Sequence, residues 1–402
     1  SVFDGIRNPN NKEIDYYYPT SDLVTGPDIL FFWVARMVMA GFSFKNKFPF
    51  KNVYFTGIVR DKKRRKMSKS LGNSPDALGL IDKYGADGVR SGMLFSSNAG
   101  NDLLFDEILC EQGRNFSNKI WNAFRLVNSW EVSETNDSKN NEYAINWFES
   151  KFFHELGVVN KSFDKFRISE SLMKIYKLIW DDFCSSYLEM IKPSNKIIDS
   201  FTKNKTIYFF EQLMVCLHPF MPFISEQIWQ DLKVRSKSDS IVFAKWPESL
   251  GFNENILNDF DDLFKIITVI RKIRKEQGVS AHRKLNLYTK NKLSLPQEML
   301  LKKLCALESI HHNEKPLDCM FPFLVKTEKY YLNIDFDSKE EINKINKEII
   351  RYKNFLNSIE KKLNNENFVK NAPDEVISLE SKKKEDTILK IKYLENQILS
   401  FS

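Results

Sequence analysis

The residues of this 402-residue chain best suited to chemistry stand together at Arg60-Asp-Lys-Lys-Arg-Arg-Lys66-Met-Ser-Lys69-Ser70. Seven of the first ten are basic and one is acidic. The run closely follows Asn52-Val-Tyr-Phe-Thr56, whose β-branched and aromatic residues predict a buried strand, and it precedes Leu71-Gly72-Asn73. A basic loop at the end of a parallel strand is a place where a polyphosphate can bind. Lysine ammonium groups can follow charge as it shifts between phosphates in a displacement, and so stabilise the transition state. On charge alone, a solvated basic loop or a nuclear-localisation-like run is the better fit. No G-x-x-x-x-G-K-[ST] segment exists, so this is not a P-loop enzyme.

The elements that must position these residues read as mixed α/β over the first hundred positions. Asp22–Gly26 suggests a strand end and turn, and Asp28–Ala40 has helical apolar spacing. Ala77–Tyr84 and Ala86–Phe95 read as helices separated by Gly85. This alternation predicts a parallel, doubly wound sheet. From Phe105 on, long amphipathic helices take over: Arg114–Trp130, Trp147–Phe163, Ile168–Ile191, Tyr208–Leu217 and Phe223–Leu232. Several long helices with short links predict an antiparallel bundle. Scarce glycine and proline (14 and 13 residues) agree with a mostly helical chain.

A helix at Asp259–Gln277, strands near Leu285–Tyr288, Phe321–Lys326 and Tyr330–Ile334, and a helix at Gln297–Ala306 form a small α/β appendix. Beyond it, Ile342, Ile345, Ile349, Tyr352, Leu356, Ile359 and Leu363 follow the 3-4 spacing of a coiled-coil seam, broken at Asn371-Ala-Pro-Asp374 and resumed from Ile391. An antiparallel hairpin is the simplest arrangement.

Composition narrows the rest. Five scattered cysteines without C-x-x-C spacing and five histidines without ligand spacing argue against disulfide scaffolds and structural zinc. The run Ile29–Phe42, interrupted by Arg36, falls short of the roughly 20 residues of a membrane span, so no membrane partner is expected. A net charge of +7 informs only where it concentrates.

Lys66-Met-Ser-Lys-Ser70 with Leu-Gly-Asn73 resembles the K-M-S-K-S signature of class I aminoacyl-tRNA synthetases. Tyr18-Pro-Thr20 and Val24-Thr-Gly-Pro-Asp28-Ile-Leu-Phe-Phe-Trp33-Val-Ala-Arg-Met37 are similar to the segment that marks the valine–tRNA ligases. Tyr84–Arg90, Asn115–Asn122, His218–Trp229 and Glu366–Val376 extend the likeness in order along nearly the whole chain.

The resemblance implies that Lys66 and Lys69 hold ATP phosphates and stabilise pyrophosphate departure, with Ser68 and Ser70 shaping the loop. It implies that Gly26 lets the backbone approach an adenylate and that Asp28 binds its polar groups. Ile29 and Leu30 either line a valine pocket or pack in the core; Trp33 is expected in the core. Asp87 and Arg90 either tie the sheet to the K-M-S-K-S loop or form a surface pair. Arg271, Arg274 and Lys275, beside the apolar stripe Phe260, Leu263, Ile267 and Ile270, are candidate tRNA contacts or a solvated face. His218 reads as a packed histidine.

The family's other signature, H-x-G-H, matches none of the five histidines, and the inserted editing domain is also missing. The basic run Lys62–Arg65 exceeds what is usual there. The chain, which opens at Ser1, therefore reads as the C-terminal part of such an enzyme.

The expected architecture is α/β followed by all-α. Residues 1–104 would be the second half of a Rossmann-like catalytic domain and 105–258 an anticodon-binding bundle, with 259–335 the small appendix and 336–402 a coiled-coil tRNA-binding arm. The expected activity is ligation of L-valine to its tRNA through valyl-adenylate. Expected substrates and partners are ATP with Mg²⁺, L-valine and valine tRNA. No protein-bound metal, a monomer and a cytoplasmic location are expected. A non-catalytic tRNA- or RNA-binding module is the alternative.

Overall fold

The computed structural model describes residues 12–95, 101–133, 138–236, 238–290, 292–312, 320–326, 328–334, 338–365 and 374–400. The chain divides into two compact units, Ser1–Leu257 and Asn258–Ser402.

The first unit begins with α1 (Lys12–Tyr17), β1 (Thr20–Thr25), a 3₁₀ turn at Pro27–Ile29, a π-helical turn at Leu30–Val34, α2 (Ala35–Lys45) and β2 (Phe50–Phe55). β1 and β2 pair in parallel, Thr20 opposite Phe50 and Thr25 opposite Phe55. A second parallel pair joins β3 (Val59–Arg60) to β4 (Leu103–Leu104). Between them lie α3 (Ala77–Tyr84), started by Asp76, whose carboxylate accepts from Leu78 N and Gly79 N, and α4 (Ala86–Phe95). The parallel pairing agrees with the sequence, but among the described residues it forms two separate two-stranded pairs instead of one doubly wound sheet. β2, expected buried, is half exposed, because β1 is the strand paired with it.

Pro27–Lys45 is long and apolar enough, by length and composition, to cross a membrane, with mean hydropathy 1.3. That is longer than the run counted from Ile29. The segment nevertheless carries Arg36 and Asp28, and Asp28 is ion-paired to Lys66.

The bundle follows: α5 (Glu107–Asn128), β5 (Glu131–Val132), α6 (Ser138–Asp164), α7 (Ile168–Lys177), a π-helix at Leu178–Tyr187, α8 (Leu188–Ile191), β6 (Ile197–Ile198), α9 (Ser200–Leu217) and α10 (Pro222–Leu232). The predicted helix Ile168–Ile191 is continuous, but its middle widens to π geometry. There Ser185 Oγ donates to Trp180 O and Ser186 Oγ to Asp181 O, each reaching back five residues. The core is aromatic: Phe116, Phe148, Phe152, Phe183, Tyr187, Phe209 and Phe210 are fully buried. Phe148 stacks on Tyr187 at 4.9 Å, and the Tyr187 hydroxyl is satisfied by Thr206 at 2.9 Å.

α4 and α5 approach through glycines. A Cβ on Gly92 would lie 2.7 Å from Cys110 Cα, and one on Gly113 would lie 2.5 Å from Gly88 O. Any side chain there separates the two helices. After α10 a 3₁₀ turn at Ile241–Phe243 leads to α11 (Glu254–Glu276).

The second unit holds most of α11, β7 (Leu285–Thr289), α12 (Leu295–Cys305), β8 (Leu307–His312), β9 (Phe321–Val325), β10 (Glu328–Leu332), α13 (Ser338–Leu363) and α14 (Asp374–Ser400). Its sheet runs β8-β7-β10-β9, with β7–β8 parallel and the other pairs antiparallel. β8 escaped the sequence reading because Leu307-Glu-Ser-Ile-His-His312 lacks alternation and has one β-branched residue, Ile310.

α13 and α14 lie side by side with Ile345, Ile349, Ile391 and Leu394 buried between them. The ion pairs Lys353–Glu395, Glu360–Lys384 and Lys362–Glu380 show that they run antiparallel. The break at Asn371–Pro373 lies outside the described residues.

Candidate active site

The basic run leaves β3 as a closed turn. Asp61 N donates to Arg65 O, Arg64 N to Asp61 O and Met67 N to Val59 O. Lys66 forms a bridge back to Arg60. Arg64 sits at φ 62°, in the left-handed region.

The acid that sequence reasoning passed over organises this turn. Asp61 Oδ1 accepts from Lys63 N and Arg65 N, both at 2.9 Å, and Oδ2 accepts from Arg65 Nε at 2.9 Å and Asn73 Nδ2 at 3.1 Å. Donation from Asn73 and then from the Arg65 main chain and guanidinium holds its carboxyl well below the usual range. Asn73 in turn donates to Lys66 O at 3.3 Å and accepts from Ser68 N at 2.9 Å. The available signal was a lone acid, flanked by bases, twelve residues before an Asn.

Outside the turn, Arg60 pairs with Asp102 and Lys62 with Asp106 at 3.4 Å. Ser68 and Ser70 share a hydroxyl–hydroxyl bond of 2.6 Å, and Ser68 Oγ also accepts from Ser70 N. Lys69 opens the 3₁₀ turn Lys69–Leu71; its side chain lies outside the described residues.

The turn reaches across to the segment after β1. Lys66 Nζ stands 3.1 Å from Asp28 Oδ2, with both side chains about half open to solvent. The Lys66 hydrogen bond and charge hold the Asp28 carboxyl below its ordinary value. Gly26 is shaped by the same acid: a Cβ there would meet Asp28 Oδ1 at 2.7 Å. Lys66, Asp28 and Gly26 are thus brought together. Ile29 and Leu30, at 42 % and 44 % exposed, are not core residues, and neither is Trp33 at 40 %, correcting its expected burial. Pro27–Val34 winds as 3₁₀ and π turns and passes into α2 at Ala35, so the expected helix Asp28–Ala40 is α-helical only from Ala35 on.

Asp87 and Arg90 serve a different partner from the one expected. Asp87, 7 % exposed, accepts from Ile224 N at 2.7 Å and Phe223 N at 3.3 Å, at the start of α10. Arg90 donates to Phe220 O and Pro219 O. They fasten α4 to the corner between α9 and α10, so they are neither a surface pair nor a tie to the basic turn. Burial raises the Asp87 carboxyl above its ordinary value, against the helix N–H groups that lower it. His218 is packed as expected, its Nδ1 2.8 Å from Ser225 Oγ.

On α11 the stripe Phe260, Leu263, Ile267 and Ile270 is buried. Arg274 is buried too, its guanidinium donating to Cys305 O, Ser280 O and Arg283 O. This places its charge inside the second unit and not on an RNA-facing surface. Arg271 is exposed and donates to Leu304 O; Lys275 is exposed. Among the described residues, no group of three or more His, Cys, Asp or Glu could hold a metal.

Three family models match in order. The one described as tRNA synthetases class I (I, L, M and V) covers residues 2–106, the anticodon-binding domain of tRNA ligase covers 146–289, and the valyl tRNA synthetase tRNA binding arm covers 337–400. The chain is 47 % identical to the valine–tRNA ligase of Christiangramia forsetii over its whole length, which is 47 % of that relative. It is 50 % identical to that of Phocaeicola vulgatus over 99 % of the chain and 46 % of the relative. The chain belongs to the valine–tRNA ligase family.

As a valine–tRNA ligase family member it spans about half the length of the curated relatives it matches. The more distant family member from Fusobacterium nucleatum is 36 % identical over 97 % of the chain and 46 % of its own. Among solved structures, the Agrobacterium radiobacter K84 LeuRS–tRNA–LeuAMS complex aligns with TM-score 0.43 and 21 % identity, over 60 % of this chain and 30 % of that one. Mycobacterium tuberculosis methionyl-tRNA synthetase with methionyl-adenylate aligns with TM-score 0.41 and 20 % identity, over 56 % and 46 %.

Proposed function

We propose that this chain supplies the K-M-S-K-S half and the tRNA-binding regions of an ATP-dependent valine–tRNA ligase. The observation that carries this reading is the Lys66 ammonium, held on an ordered turn 3.1 Å from Asp28, within the signature segment of a chain homologous along its whole length to valine–tRNA ligases.

In this reading ATP, as its Mg²⁺ complex, is a substrate. Lys66 and Lys69 neutralise its phosphates and stabilise charge as pyrophosphate leaves. Gly26 and Asp28 lie beside the adenylate, and Ile29 and Leu30 line the valine side. Ser68 and Ser70 shape the turn. Residues 1–104 are part of the catalytic domain, 105–258 the anticodon-binding bundle, 259–335 the appendix and 336–402 a coiled-coil arm against tRNA. Arg271 and Lys275 contact tRNA phosphates. The working enzyme is a cytoplasmic monomer that forms valyl-adenylate and then charges valine tRNA.

The 402 residues hold one of the family's two signatures, so the isolated chain binds tRNA but does not form adenylate. Two assays test this: valine-dependent ATP–pyrophosphate exchange, and tRNA binding at graded salt. Expected are no exchange and an affinity that falls linearly in log–log form with salt. Exchange by the chain alone, or no binding of valine tRNA, overturns the reading.

A further inference from the structure

We propose that Asp61 and Asn73 are positioning residues for the phosphate-binding lysine, a clamp that fixes the Lys66–Ser68 main chain and so aims the Lys66 ammonium at Asp28. The proposal rests on the phosphate-binding reading of Lys66 and adds two residues which that reading leaves out.

The first observation is a conflict of charge. A run that attracts polyphosphate through seven bases loses attraction from every acid within it, yet Asp61 is there. Its side chain is 13 % exposed, and its two oxygens accept four hydrogen bonds from Lys63, Arg65 and Asn73. Its charge is therefore turned inward and spent on the turn. The same bonds keep the chain closed around Arg64, at φ 62°, a conformation that L residues avoid.

The second observation is the continuation through Asn73. One amide group bonds Asp61 Oδ2, Lys66 O and Ser68 N, linking the start of the turn to the main chain on both sides of Met67. A lysine is a point charge on four flexible carbons, and its aim depends on a fixed Cα. Asn73 supplies that fixed point, and Asp61 fixes Asn73. Neither side chain has a bond to Asp28, so both act through Lys66.

The experiment uses the 402-residue chain, with inorganic pyrophosphate titrated calorimetrically and the Asp28 carboxyl followed by ¹³C NMR against pH. Asp61→Asn and Asn73→Ala are each expected to weaken pyrophosphate binding roughly tenfold, the scale of one to two lost hydrogen bonds, and to return the Asp28 midpoint toward its ordinary value. Thermal melts identify any variant that fails to fold.

An unmoved Asp28 midpoint in both single variants overturns the clamp. If the unsubstituted chain binds no pyrophosphate, the phosphate reading of Lys66 fails, and the Asp28 midpoint alone still decides the clamp.

Discussion

Lys66 Nζ lies 3.1 Å from Asp28 Oδ2, bonding the signature turn to a segment 38 positions earlier in the chain. The contact joins two parallel strand pairs that share no ladder with each other among the described residues.

Removing the cation should release the acid. The Asp28 carboxyl is depressed by the Lys66 hydrogen bond and charge, so its contribution is present above the unfolded value, near 3.9, and fades as pH falls through the lower folded value. In Lys66→Met the Asp28 midpoint should rise to that ordinary value, read by ¹³C NMR. An unchanged midpoint would show that the pair does not form in solution.

Asp87 should behave in the opposite sense. Burial raises its carboxyl, so its contribution is complete below the unfolded value and declines as pH rises through the folded one. Asp87→Ala, which strips two N–H groups of α10 of their acceptor, should cost about 2–3 kcal/mol. Asp87→Asn keeps one acceptor and should cost less. Denaturant midpoints across pH 4 to 8 should show the advantage of Asp over Asn shrinking as pH rises; a growing advantage contradicts the sign.

Two neighbouring bases on α11 should separate cleanly. Arg274→Ala removes three bonds to main-chain carbonyls in a buried site and should destabilise the second unit by roughly 2–4 kcal/mol, with correspondingly early unfolding. Lys275→Ala should change stability by no more than about 0.5 kcal/mol. It should instead lower tRNA affinity and reduce the salt slope by about one. Equal effects of the two substitutions on stability would contradict the structure.

Gly92→Ala tests the α4–α5 contact. Its new methyl would stand 2.7 Å from Cys110 main-chain atoms, which cannot yield as a side chain can. A loss of about 1–3 kcal/mol is expected in thermal or urea unfolding. Gly251→Ala, with open space around its Cβ, is the control and should be near neutral.

Local chemistry was legible wherever it was contiguous. Ala77–Tyr84 and Ala86–Phe95 are helices with the predicted bounds, because Gly85 at φ 77° punctuates them. The buried stripe of α11 follows from its spacing, and so does the buried seam shared by α13 and α14. What escaped was partnership over distance. Asp87 and Arg90 carry no sign that their partners lie about 130 residues away. Asp61 is outvoted by its neighbours in any count of charge, and Arg274 looks like the bases around it until burial separates them. In the π-helix at Leu178–Tyr187 the buried pairs Leu178/Ile179 and Phe183/Cys184 stand five apart, too small a departure over one turn to separate from ordinary helical spacing.

The glycine contact between α4 and α5, together with the Asp87 and Arg90 bonds to the α9–α10 corner, leaves α4 no slack against the bundle. α4 is also one residue from α3, which begins four residues beyond Asn73. Any displacement of the α9–α10 corner is therefore passed to α4, and Gly85 is the joint at which α3 and the turn beyond it can yield.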